Sequence, residues 1–142
     1  MKKLIQIFAV MVIIILTAGN ISAQAQENPL LVVSFQKVKL SDIAAANKIV
    51  NEKLAPVLNG LVDEKMLLGW GLFNHAWGDE WNVNIWYVAK DMDAFNKFWK
   101  EFTGRINKQQ PEAWTELRGY IQEHKDNIYT ILNQYPIAPV NK

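Results

Sequence analysis

Glu80-Trp81-Asn82-Val83-Asn84-Ile85-Trp86-Tyr87-Val88 is the stretch that decides the fold, because its side chains alternate with period two. In a strand, Trp81, Val83, Ile85 and Tyr87 share one side, and Asn82, Asn84, Trp86 and Val88 share the other. Upstream, Met66-Leu67-Leu68-Gly69-Trp70-Gly71-Leu72-Phe73 leads into Asn74, His75, Ala76 and Trp77, and Gly78-Asp79 supplies turn chemistry. Lys65 to Ala89 therefore reads as a hairpin. Downstream, Asp91 or Asp93 caps a helix whose Phe95, Phe98, Trp99, Phe102 and Ile106 recur at helical spacing.

Working outward, Leu30 to Lys39 is strand-like, after a short leader of residues 26–29. Ser41 or Asp42 then caps a helix to about Leu58, with Ile43, Ala46, Val50, Leu54, Val57 and Leu58 on one stripe. Pro56 weakens or kinks its last turn, and Gly60 is the expected stop. Past the polar break at Lys108-Gln109-Gln110, Pro111 suits the start of a third helix, with Trp114, Leu117 and Ile121 as its buried stripe. Ile128 to Leu132 is short, β-branched and aromatic, which fits a final strand, with a continued helix as the alternative; Pro136 and Pro139 end the order.

Strand, helix, strand, strand, helix, helix, strand is an α+β order. It predicts a ferredoxin-like βαββαβ domain with an extra helix before the last strand, and a four-stranded antiparallel sheet covered by helices on one face. In this order of elements the chain resembles the dimeric α/β-barrel superfamily. That group includes antibiotic-biosynthesis-type and haem-degrading monooxygenases, NIPSNAP-like proteins and stress-responsive barrel proteins. The resemblance implies a homodimer whose two sheets close on a cavity. Haem-degrading and quinol-oxidising members use Asn, Trp and His in such cavities. No motif matches position by position, so no catalytic role is carried over.

The N-terminus reads as an export signal. Lys2 and Lys3 precede an apolar run from Phe8 to Leu16, and Ala23 and Ala25 form an A-x-A site. Cleavage is expected after Ala25, with Ala23 as the alternative, leaving residues 26–142 as one periplasmic or secreted domain. The apolar run falls short of the roughly 20 residues a spanning helix needs, so no stable membrane anchor is expected after cleavage. The remaining chain holds 13 basic against 14 acidic residues, a balance that argues against nucleic acid and anionic membrane as partners. There is no cysteine, hence no disulfide, no thiolate nucleophile and no Cys-ligated metal.

A second sheet face is the reason to expect a dimer beside any resemblance. The set Leu31, Val33 and Phe35 is expected to pack under the helices with Trp81, Val83, Ile85 and Tyr87. The other face would carry Ser34, Gln36, Val38, Trp70, Leu72, Asn74, Asn82, Asn84, Trp86 and Val88, with Gly69 and Gly71 leaving room for helices to approach. A face mixing large aromatics with amides marks an interface or a ligand groove. Gln36, Trp70, Asn74, His75, Asn82, Asn84 and Trp86 are accordingly the candidate ligand-binding residues.

Single residues carry less. His75, near the hairpin tip among Trp70, Trp77 and Trp81, could be a base, a ligand to haem or metal, or simply a histidine beside a turn. His124 is placed at the junction of the third helix and last strand, where a structural cation is the simpler account. Two distant histidines without an H-x-H or H-E-x-x-H spacing give no metal site, and no cofactor is assigned. Ser34 shows no neighbouring base in the sequence, and no G-x-S-x-G occurs. Three functions fit: an exported dimer binding a small apolar or aromatic molecule, a cofactor-independent monooxygenase-like enzyme of the barrel type, or a structural interaction protein without a cavity.

Overall fold

A computed structural model describes residues 28–78 and 80–133. The expected signal segment, Asp79 of the turn, Pro136 and Pro139 lie outside the described residues. Strand β1 is Leu30–Val38 and leads through a short 3-10 turn, Leu40–Asp42, into helix α1, residues 43–63. Strands β2 (Gly69–Asn74) and β3 (Val83–Ala89) form the hairpin; α2 (Met92–Gln109), α3 (Ala113–Tyr120) and β4 (Ile121–Thr130) follow. All pairings are antiparallel, in the order β2-β3-β1-β4, so the first and third strands are central. This is the ferredoxin-like arrangement that the element order implies. Among the described residues, no helix is long and apolar enough to cross a membrane.

Helix α1 runs past both of its expected interruptions. A proline inside a helix removes one N–H and crowds the carbonyl four residues earlier. Here the π-helical segment Val50–Leu54 ends two residues before Pro56, and the widened turn lets the helix continue. Gly60 is an interior residue, and the helix ends at Asp63 instead. The termination follows the Schellman pattern: Met66 N–H bonds to the Leu61 carbonyl and Lys65 N–H to the Val62 carbonyl, both at 2.9 Å. Lys65 occupies the left-handed position usually held by glycine, at φ 61°.

Two more boundaries differ from the sequence expectation. Met66, Leu67 and Glu80–Asn82 lie outside the strands, although Leu68 N–H still reaches the Val88 carbonyl at 2.8 Å. At the C-terminal end, Ile121 opens β4 rather than closing α3, so the last strand gains the polar residues 122–127. Their charges hide the strand because an edge strand, exposed on both faces, needs no apolar alternation.

The core lies between the helices and one sheet face. Asp91 accepts a hydrogen bond from Ala94 N–H at 2.7 Å, and this cap starts α2 in the phase that buries Phe98, Phe102 and Ile106. Phe98 and Phe102 stack with centroids 5.6 Å apart, and Tyr87 of β3 meets both rings from below. Trp114 of α3 closes the cluster edge-on to Phe102. Outside the core, Arg105 of α2 holds Glu64 through two bonds of 2.6 and 2.7 Å, pinning the end of α1. That pairing holds the Glu64 carboxyl below its ordinary range.

A left-handed backbone costs a non-glycine residue about 1–2 kcal/mol, and the greater freedom of glycine in the unfolded chain returns about 0.4–1 kcal/mol of any relief. Lys65→Gly is therefore expected to stabilise the protein by about 0.5–1 kcal/mol, read as a higher urea midpoint at unchanged slope. A lower midpoint would mean that the Lys65 side chain supports the turn.

Candidate functional site

Register fixes which side chains share a face. Val32 stands opposite Tyr87, Ser34 opposite Ile85 and Gln36 opposite Val83, while Trp70 and Leu72 stand opposite Tyr87 and Ile85. All of these lie on the helix side with the core. The helix-free face consequently carries Leu31, Val33 and Phe35 of β1, Phe73 of β2, Asn84, Trp86 and Val88 of β3, and Lys125 and Tyr129 of β4. The expected faces are thus correct for β3 from Val83 onward and reversed for β1 and β2. Both sets of β1 are apolar enough to be buried, so hydrophobicity alone could not choose between them.

Trp86 is the centre of this open face. The Gly69 and Gly71 positions that seemed to admit helices instead admit its indole. A Cβ built at Gly71 would lie 2.6 Å from Trp86 Cε2, whereas at Gly69 the nearest ring atom is 3.5 Å away. The ring lies across the two glycines of the edge strand and replaces the side chains they lack. Beside it, Leu31, Val33, Phe73, Val88, Ile131 and Asn133 complete a shallow concavity of about 440 Å³. Asn133 is the one hydrogen-bonding side chain in that lining apart from the indole N–H.

At one end of this face the backbone is strained. Trp81 holds φ at 49°, uncommon for an aromatic residue. Asn84 fixes it by donating from Nδ2 to the Trp81 carbonyl at 2.6 Å. The Lys125 ammonium lies 4.2 Å from the Trp81 ring centroid and 5.3 Å from that of Phe35, a cation held between two π faces. Asn84 is fully buried, and its Oδ1 has no hydrogen-bond partner among the described residues.

The seven candidate residues do not converge. Asn84 and Trp86 lie together on the open face. Asn82 is buried outside the strand and bonds Val38 through both ends of its amide, accepting from N–H at 2.9 Å and donating to the carbonyl at 2.7 Å, so it ties β1 to the hairpin. Gln36 faces the helix side, and Trp70 packs on α1, donating from Nε1 to Asn59 at 2.9 Å. Asn74 bonds Asn47 of α1 and the Asn82 carbonyl. His75 is exposed on the loop.

One cluster was invisible in the sequence. On the helix side, Ser34 Oγ lies 3.1 Å from His124 Nε2, and Gln36 Nε2 donates to Ser34 Oγ at 3.3 Å. His124 is inside β4 rather than at a helix end, because that strand begins at Ile121. The same Nε2 also lies 3.1 Å from Asp126 Oδ1. A serine relay needs the carboxylate on the opposite ring nitrogen, so these residues are not arranged as a triad. Burial, with Asp126 nearby as a second cause, pushes the Tyr87 hydroxyl far above its usual titration range. Tyr87 therefore stays neutral across the physiological range. Among the described residues, no three His, Asp or Glu side chains gather to hold a metal ion.

No family model and no curated protein matches the sequence. The fold is shared with solved structures at low identity. A dimeric ferredoxin-like protein from an uncultured marine organism is 11% identical with a TM-score of 0.62, over 78% of this chain and 93% of that one. A NIPSNAP family protein of unknown function from Agrobacterium tumefaciens is 12% identical with a TM-score of 0.61, over 80% and 96%. A Bacteroides thetaiotaomicron protein of unknown function, described as a possible oxidoreductase, is 8% identical with a TM-score of 0.51, over 74% and 99%. These likenesses establish the ferredoxin-like fold.

Gly71→Ala is expected to dislodge the Trp86 indole, because no rotation of a methyl group clears a ring already in contact. Tryptophan emission should shift to the red, and unfolding should become easier by about 1–3 kcal/mol, the usual cost of overpacking. Unchanged emission would show that Trp86 does not lie over Gly71.

Proposed function

We propose that the protein is exported and acts as a homodimer, its two helix-free sheet faces closing on each other around a small apolar or aromatic molecule. The observation that carries this reading is the composition of that face. Leu31, Phe35, Phe73, Trp86 and Val88, around a buried Val33, make an apolar surface on the side that no helix of the described residues covers. A sheet that met water there would alternate to polar residues instead. Apolar patches of this kind mark interfaces and ligand grooves. A second copy is the partner with a matching surface, and two of the similar solved structures are described as dimeric.

Two opposed concavities of about 440 Å³ would give an enclosed space of the size that small organic ligands occupy. Its lining favours binding over catalysis, since neither a titratable group nor a nucleophile stands among the seven residues. Export is supported by Lys2 and Lys3, the apolar run and the A-x-A site, and on this reading the dimer acts in the periplasm or outside the cell.

Light scattering on residues 26–142 should give twice the monomer mass at micromolar concentration. Phe73 is 40% exposed on this face, so Phe73→Glu would bury a carboxylate at the contact and should weaken association by on the order of a hundredfold, about 3 kcal/mol. A wild-type protein that stays monomeric at tens of micromolar ends the dimer reading. For export, N-terminal sequencing of the protein recovered outside the cytoplasm is expected to begin at Gln26. A retained Met1 would make the apolar run an anchor.

A further inference from the structure

The concavity of the open face spans the sheet. Its walls come from Phe73 on β2, Trp86 and Val88 on β3 and Leu31 on β1, yet Ile131 and Asn133 belong to the chain leaving β4 at the opposite edge. Ile131 is still tied to the sheet, since its N–H donates to the Pro29 carbonyl at 2.8 Å. Ile131 and Asn133 continue the alternate row of β4, Lys125 and Tyr129, that lies on the open side. The chain therefore passes into residues 134–142, which lie outside the described residues, directly from the lining of an apolar hollow. That segment reads Gln134-Tyr135-Pro136-Ile137-Ala138-Pro139-Val140-Asn141-Lys142. Tyr135 follows Asn133 by two, so an extended chain gives both the same side. Pro136 favours such an extended backbone at Tyr135, because the proline ring crowds a helical residue before it.

We propose that Tyr135 of the same chain occupies this concavity, so that the hollow seats the protein's own segment 134–142 and a small ligand must compete with it. The competition rests on the reading of the open face as a ligand site; the seating needs only the apolar hollow. Reach favours the same chain. Two extended residues span at most about 7 Å, so the Tyr135 backbone stays close to Asn133, which is itself in the lining. Room is sufficient, since a cavity of about 150 Å³ already takes benzene and this one is about 440 Å³. A phenol ring brings a flat apolar body to Phe73 and Trp86 and keeps its hydroxyl for the open rim. No charge has to enter, because Lys142 is the one charged side chain of the segment and stands seven residues beyond Tyr135. Pro136 and Pro139 restrict the chain before it docks, which lowers the entropy lost on docking. A short tether also gives the ring a millimolar effective concentration at the hollow.

Nuclear Overhauser contacts in the wild-type chain of residues 26–142 test the seating without any variant. The Tyr135 ring protons are expected to contact the methyl groups of Leu31 and Val88. Mixing isotopically labelled and unlabelled chains separates contacts within one chain from contacts between two, and the expected ones arise within one. Absence of these contacts overturns the inference. Contacts found only between chains overturn it as well, since the ring would then come from a partner. Calorimetric titration with indole reads the competition. An effective concentration of about 1 mM against an affinity on the order of 0.1 mM keeps about nine hollows in ten filled, so Tyr135→Ala should bind indole about tenfold more tightly than wild type. Equal indole affinities overturn the competition. Failure of both chains to bind indole removes the ligand reading alone; the Tyr135 contacts then carry the seating if present and overturn it if absent.

Discussion

The register of β1 against β3 is the constraint on which everything else in the molecule depends. Side chains alternate strictly along a strand, so a slip of one residue would send every β1 side chain to the opposite face. With Ser34 opposite Ile85 and Phe35 opposite Asn84, the helices receive Val32 and Val38 along with Ser34 and Gln36. The solvent side receives Leu31, Val33 and Phe35. That is the reverse of what a monomeric two-layer protein would choose. The helix layer supplies enough aromatic bulk from Phe98, Phe102 and Trp114 to tolerate the two polar residues beneath it.

Trp86 converts this inverted sheet into a shaped surface. An indole lying flat over Gly69 and Gly71 makes the edge strand thin and broadens the apolar floor next to Val33 and Val88. Side chains at the glycine positions would have stood the indole upright and filled the concavity. The local strain at Trp81 belongs to the same arrangement. Its left-handed turn brings its carbonyl to the Asn84 amide and its ring to Lys125, which closes the hairpin end of the face with a charge. An apolar floor, a bordering cation and one unpartnered acceptor are thus products of a few backbone choices in the hairpin.

Much of this was legible in the residues and some could not be. The alternation of Val83 to Val88 and the Phe95–Ile106 stripe identified β3 and α2 correctly, because each buries one face and shows its period. The boundaries of α1 and β4 escaped for opposite reasons. At Pro56 and Gly60, local propensity was overridden by a π turn and by packing of Leu54, Leu58 and Leu61. At residues 121–127, an edge strand with two wet faces carried no periodic signal. The pairing of Asn84 with Trp86 was readable from their spacing. Separating them from Gln36 and Trp70 needed the register, which is a tertiary property. Asn82 looked like a ligand residue because a buried amide is unusual, and the amide is indeed committed, to the backbone of Val38.

The helix-side row of Ser34, Gln36, His124 and Asp126 completes the physical picture. Buried Ser34 finds a partner in β4, whose His124 reaches it from a half-exposed position, whereas Gln36 bonds Ser34 through Nε2 and its Oε1 has no partner among the described residues. The polar character of β4 is therefore matched to the polarity of β1, since His124 meets Ser34 of β1 as well as Asp126 of its own strand. Hydrophobicity that a monomer would spend beneath its helices is in this way displaced to the outer face of the sheet. That outer face is apolar at Leu31, Phe35 and Phe73, and the geometry of the sheet is the physical reason to look for a second copy against it.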